Sequence, residues 1–229
     1  MRLLLLCLAI TLTPAVLVGC GSSDNGIASK SAAGILAAAR AAATGASSVR
    51  VTSNASIGRA KSTLNASYAR TQAHVQSSLF DIHYEVIRDA NTLYVKGNRA
   101  FNRGLERQLA VKIPPNTWLK GSAHSGSLSQ ITPETELTQE LPVILTGSGP
   151  LTKGTVTKLD GQPAITLTQK RKLSTATLYV ATTGEPYPLQ LNKTGTETSQ
   201  TTLTNWNKPI HIDPPTNALE ISQLPRKGG

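Results

Sequence analysis

The chain has 229 residues, 39% of them hydrophobic, 4% aromatic and 16% charged. That length suits one domain or two small ones, and the apolar fraction excludes a disordered chain. Two cysteines, Cys7 and Cys20, exclude a disulfide framework, and 23 Lys and Arg against 13 Asp and Glu make a basic protein of net charge +10.

The N-terminus sets the expected compartment. Met1-Arg2 supplies one positive charge, Leu3 to Ile10 runs apolar, and the run relaxes through Thr11, Thr13 and Pro14 into Leu17-Val18-Gly19-Cys20. A short n-region, an h-region and small residues at the cut define a secretory signal peptide. The apolar part is shorter than the roughly 20 residues of a stable span, and no later run is long enough to span. The Leu-x-Gly-Cys ending resembles the bacterial lipobox, which makes residues 1–19 the signal peptide and Cys20 the acylated first residue. Residues 20–30 then form the acylated cysteine and a flexible tether, and residues 31–229 a single domain. The expected location is the cell membrane, lipid-anchored on the extracytoplasmic face of the envelope. Anionic phospholipid headgroups are nearer partners for the basic charge there than nucleic acid, at about 1 kcal/mol per basic residue close to the surface.

Ser31 to Ala43 is alanine-rich and ends near Gly45, which predicts a helix. From Ser48 the period becomes two: Val49, Val51, Ser53, Ala55 and Ile57 alternate with polar residues, and Leu64, Ala66 and Tyr68 continue such a face after Gly58-Arg59. Phe80, Ile82, Tyr84 and Val86 predict another half-buried strand, and Leu93-Tyr94-Val95 one more after the Asp89-Ala90-Asn91 turn. Arg99 to Val111 returns to helical spacing, with Phe101, Leu105 and Leu109 on one face and Arg99, Arg103 and Arg107 on the opposite one. Trp118-Leu119-Lys120 predicts a short strand. A helix with Leu137 and Leu141 is expected from Thr132-Pro133-Glu134, broken by Pro142 before Val143-Ile144-Leu145. Five strands then follow, over 154–159, 164–169, 174–182, 189–193 and 200–205, and Pro214-Pro215 ends the regular part. The fold class is α+β: a continuous antiparallel sheet with helices at its start and in its middle.

Catalytic signatures are missing. The sequence holds no Gly-x-Ser-x-Gly elbow, no His-Glu-x-x-His helix and no phosphate-binding Gly-rich loop. Asp81, His83 and Glu85 could share one strand face, but a solvated outer face explains them as well. The reading is a non-enzyme without metal or cofactor. Small inward residues such as Ser53, Ala55, Ala66 and Ala176 leave volume on a curved sheet, consistent with either a cavity or a tightly sealed small-residue core.

Several stretches resemble the mycobacterial LppX/LprA/LprF/LprG lipoproteins. They are Ser31 to Leu36 leading to Ser47 to Val51, Leu93 to Asn98, Trp118 to Lys120, Gly161 to Ala164, and Leu178 to Leu189. The resemblance implies a curved, LolA-like antiparallel half-barrel covered by helices and enclosing an apolar cavity for acyl chains of lipids or glycolipids. It favours the cavity over the sealed core. Val51, Leu64, Tyr68, Phe80, Ile82, Tyr84, Leu178 and Val180 are the candidate lining, provided no bulge shifts the register. Arg99, Arg103, Arg107, Lys170, Arg171 and Lys172 are candidate contacts with headgroups or an anionic membrane surface, and a membrane transporter is a candidate partner. The expected function is binding and carriage or presentation of envelope lipids. The alternative is a sensor or scaffold that uses the same fold to bind protein.

Overall fold

The computed structural model describes residues 23–137 and 150–226. Twelve strands among them form one sheet, open at both edges. These are β1 (Ser48–Ile57), β2 (Ala60–Ala69), β3 (Gln72–Leu79), β4 (Ile82–Asp89), β5 (Thr92–Gly97), β6 (Leu119–Ser122), β7 (Leu151–Leu159), β8 (Gln162–Lys170), β9 (Ser174–Ala181), β10 (Pro188–Gly195), β11 (Glu197–Thr204) and β12 (Leu219–Glu220). The order across the sheet is β12-β6-β5-β4-β3-β2-β1-β11-β10-β9-β8-β7. The pairs are antiparallel except β12 with β6. This is the expected α+β half-barrel. Its turns therefore alternate between two ends, a proximal one where β1 begins and a distal one where β1 finishes.

Two-residue turns close most hairpins, and a left-handed residue in such a turn matches the strand twist. Asp160-Gly161 supplies one by the favoured chemistry, with φ of 48° and 83°. Phe80 holds φ 55° in the β3–β4 turn, an uncommon setting for a bulky side chain. The strand expected to start at Phe80 thus starts at Ile82, and Phe80-Asp81 is its turn.

Among the described residues, two α-helices pack on the inner face. In α1 (Ala32–Gly45), the Ser31 side chain caps the first turn by accepting from Gly34 N at 3.2 Å. Ile35, Ala39 and Ala43, four apart, are fully buried, and the helix packs on β7 and β10. In α2 (Arg99–Leu109), Asn98 Oδ1 accepts from Phe101 N at 3.0 Å while its Nδ2 donates to Asp81 O at 2.5 Å. One residue therefore caps α2 and ties it to the distal β3–β4 turn.

Four expectations change. The helix foreseen from Thr132 is a 3-10 segment, Ser129–Thr135, while Leu141, Pro142 and Val143-Ile144-Leu145 lie outside the described residues. Gln72–Leu79 is a strand that the sequence reading passed over. Regular structure continues beyond Pro214-Pro215 into β12. Residues 24–30 are seated rather than loose: Asp24 bridges to Thr183, Asn25 N donates to Thr182 O at 2.9 Å, and Asn25 Nδ2 donates to Ala181 O and Gly184 O at 3.1 and 2.9 Å. Ile27, at 2% exposure, enters the core. The clamp lies at the proximal end. Asn25→Ala removes two side-chain hydrogen bonds, at about 0.5–1.5 kcal/mol each, and is expected to speed amide hydrogen exchange across residues 24–30. Unchanged exchange there would contradict the clamp.

Candidate functional site

Register divides the inner face into rows. One row runs Leu119, Val95, Val86, Val75, Ala66, Val51, Leu203 across seven strands, each facing the next. All seven are at most 2% exposed. It is a solid floor of valine, leucine and one alanine, packed in one core with Ile35 and Ala39 of α1, Leu105 of α2 and the connecting residues Val111 and Leu128.

Two residues toward the distal end, the row reads Gly97, Tyr84, Ser77, Leu64, Ser53, Thr201. Serine at Ser77 and Ser53 cannot fill the height that valine fills in the first row. A pocket of about 310 Å³ opens here, lined by Ser53, Ser62, Leu64, Tyr68, Ser77, Leu79, Tyr84 and Glu134 among others. That volume lies at the small end of ligand pockets, which run from about 300 to 1,000 Å³. Leu79 is 45% exposed at the distal tip, so the pocket reaches that end of the sheet.

The 3-10 segment forms the cover. Tyr84 Oη donates to Glu134 Oε2 at 2.7 Å and Tyr68 Oη to Glu134 O at 3.4 Å, so both tyrosines hold the strap by their polar ends while their rings face the pocket. Gly97 fixes the Tyr84 ring. A β-carbon there would stand 2.6 Å from Phe101 Cγ, so only glycine lets Phe101 lie over the strand and stack on Tyr84, centroids 5.0 Å apart. At the strap's other end, the buried Arg88 donates through Nη2 to Thr135 O at 3.3 Å. Burial lowers the pKa of this guanidinium, and the charge of Glu136 acts the other way.

The eight candidate lining residues are thus dispersed. Leu64, Tyr68 and Tyr84 line the pocket. Val51 belongs to the solid row, while Leu178 and Val180 are buried in the same hydrophobic core as the α1 residues Ile35 and Ala39. Ile82 is half-buried beyond the pocket, and Phe80 is corrected from lining to surface: as a turn residue it is 68% exposed. Ser77, Glu134 and Gly97 escaped the sequence reading, although Ala73, Val75, Ser77 and Leu79 alternate with Gln72, His74, Gln76 and Ser78 as a strand should.

The basic candidates all face solvent. Arg99 and Arg103 flank a cleft of about 470 Å³ between α2 and residues 113–116, while Lys170, Arg171 and Lys172 form the distal β8–β9 tip. Cys20 lies outside the described residues. On the outer face, Asp81 is a turn residue, His83 is exposed, and Glu85 pairs with His74 Nε2 at 2.5 Å. Among the described residues no cluster of three His, Cys, Asp or Glu could hold a metal, and no helix is long and apolar enough to cross a membrane.

Structural comparison assigns the class of fold. The chain matches LprF from Mycobacterium bovis with TM-score 0.55 and 14% identity over 85% of this chain and 99% of that one. It also matches the Mycobacterium tuberculosis lipoprotein LppX, TM-score 0.48 and 16% identity, over 83% and 100%. No protein-family description and no curated protein matches the sequence. The fold is that of LprF, which is the half-barrel that the short resemblances implied.

Proposed function

We propose that this chain is a membrane-anchored lipoprotein, held at Cys20 on the extracytoplasmic face, that takes an acyl chain of an envelope lipid or glycolipid into its half-barrel and carries or presents it. The observation that carries this reading is the break in packing between two neighbouring rows of one sheet. A sheet built only to be stable would repeat the valine row, whereas Ser53 and Ser77 leave space beside Leu64, Val75 and Leu79. The LprF fold and the lipobox-like N-terminus agree with it.

The pocket's size points to the end of one chain rather than two or three whole ones. Each buried methylene contributes roughly 0.8 kcal/mol, so a fully buried chain of about 16 carbons would be held too tightly for ready release. A short pocket open at one end hides part of a chain and lets it leave. The Tyr84–Glu134 contact places a polar group over the pocket, where the lipid's polar portion would begin.

The test is transfer of a lipid with a fluorescent acyl chain between vesicles, using the protein with Cys20→Ser so that it is not anchored. Transfer should rise in proportion to protein concentration. A flat response, with the protein folded, would favour the sensor or scaffold alternative, in which the same surface binds protein.

A further inference from the structure

Six large hydrophobic residues are exposed among the described residues, and four of them lie on three separate hairpin tips at one end of the sheet. Ile57 (62% exposed) closes the β1–β2 hairpin, Leu79 and Phe80 (45% and 68%) the β3–β4 hairpin, and Leu173 (65%) the β8–β9 hairpin. Strand alternation puts all three tips at the distal end. Folding does not require this. A two-residue turn is satisfied by Gly, Asn or Asp, as Asp160-Gly161 shows at the proximal end, and Phe80 occupies a left-handed position that Asn would take more readily.

Two of the three tips are basic, and the third has a cation beside it. Arg59 and Lys61 follow Ile57, and Lys170, Arg171 and Lys172 precede Leu173. Against these five stand Asp81 and Glu197, the latter within 4.0 Å of Lys193. Arg99 begins α2 beside the Phe80 turn through the Asn98 cap. Isolated apolar side chains at loop tips, surrounded by cations, match a bilayer interface: the rings and branched chains enter the acyl boundary while Lys and Arg meet anionic headgroups. A protein partner would call for one continuous apolar patch rather than separated tips with basic collars.

We propose that the distal hairpin tips form a docking rim that inserts Ile57, Phe80 and Leu173 into an anionic phospholipid surface. This rests on the lipid-binding reading and adds the route: Leu79 belongs to both the rim and the pocket lining, so docking sets the pocket against the acyl layer. It also sets an orientation. The Asp24–Thr183 clamp is at the proximal end, about 30 Å away along a ten-residue strand. An acylated Cys20, four residues before Asp24, reaches about 14 Å at most. With the clamp closed, anchor and rim therefore address different surfaces, and the domain bridges them.

The test is flotation of the full mature chain carrying Cys20→Ser with vesicles of phosphatidylcholine alone or with phosphatidylglycerol. Wild type should float with the anionic vesicles, less so at high salt. Ile57→Thr/Phe80→Asn/Leu173→Ser should bind them at least tenfold more weakly, and Lys170→Gln/Lys172→Gln should lose most of the preference for anionic lipid. A proximal control, Lys158→Gln/Lys208→Gln, should bind as wild type does. Circular dichroism establishes that each variant is folded, and binding of a fluorescent fatty acid in solution reports the pocket separately. No flotation of wild type, or equal flotation of the rim variants, overturns the rim. If fatty-acid binding persists in that case, the pocket reading survives without it; loss of fatty-acid binding by wild type with flotation intact removes the pocket and leaves the rim.

Discussion

Ser77→Trp is expected to block acyl-chain binding while the protein stays folded. Ser77 lies between Leu64 and Tyr84 in the open row, and its side chain faces the pocket of about 310 Å³. An indole takes much of that space without entering the valine row. Excluding as few as two methylenes, at roughly 0.8 kcal/mol each, lowers affinity about tenfold. A larger loss is expected, because the ring obstructs the whole cross-section. Titration with a fluorescent fatty acid measures it, and thermal melting establishes that the fold survives. Wild-type affinity in a folded Ser77→Trp would place the acyl site elsewhere.

Ala66→Trp should do the opposite. Ala66 is 1% exposed between Val51 and Val75, in the row that has no room. Overpacking typically costs 1–3 kcal/mol and sometimes more, and a change this large at a closed position is expected at about 3 kcal/mol or above. For a domain of this size that lowers the melting temperature by roughly 6–12 °C. Urea denaturation should show the same loss. An Ala66→Trp protein with unchanged stability and no lipid binding would mean that the cavity extends under Ala66, and the division between a solid and an open row would fall.

This contrast marks what the sequence could and could not disclose. Alternation assigned the inner face correctly for Val51, Ala66, Tyr68 and Tyr84, because a period of two survives any change in how the sheet curves. It could not distinguish Ala66 from Ser53, both small and both inward: which one faces space depends on the strap crossing above, a contact between residues 50 or more positions apart. The strand β3 was hidden by its composition, since Gln, His and Ser on its outer face and Ser77 on its inner one dilute the apolar signal. Phe80 misled for a related reason. A large aromatic two positions before Ile82 fits a strand pattern, and only the left-handed turn shows that it points outward. The seat of residues 24–30 was equally unreadable, because a Gly-Ser-Ser-Asp-Asn run has tether composition while Asn25 finds its three carbonyls only after β9 and β10 have paired.

Native mass spectrometry of the mature chain with Cys20→Ser, purified from a membrane-containing source without detergent, tests the central claim most directly. The account predicts a population carrying one aliphatic ligand, released by gentle collisional activation and recovered by solvent extraction, and its absence from Ser77→Trp prepared in the same way. Wild-type protein that is entirely free of ligand, and that takes up no added fatty acid, would contradict it.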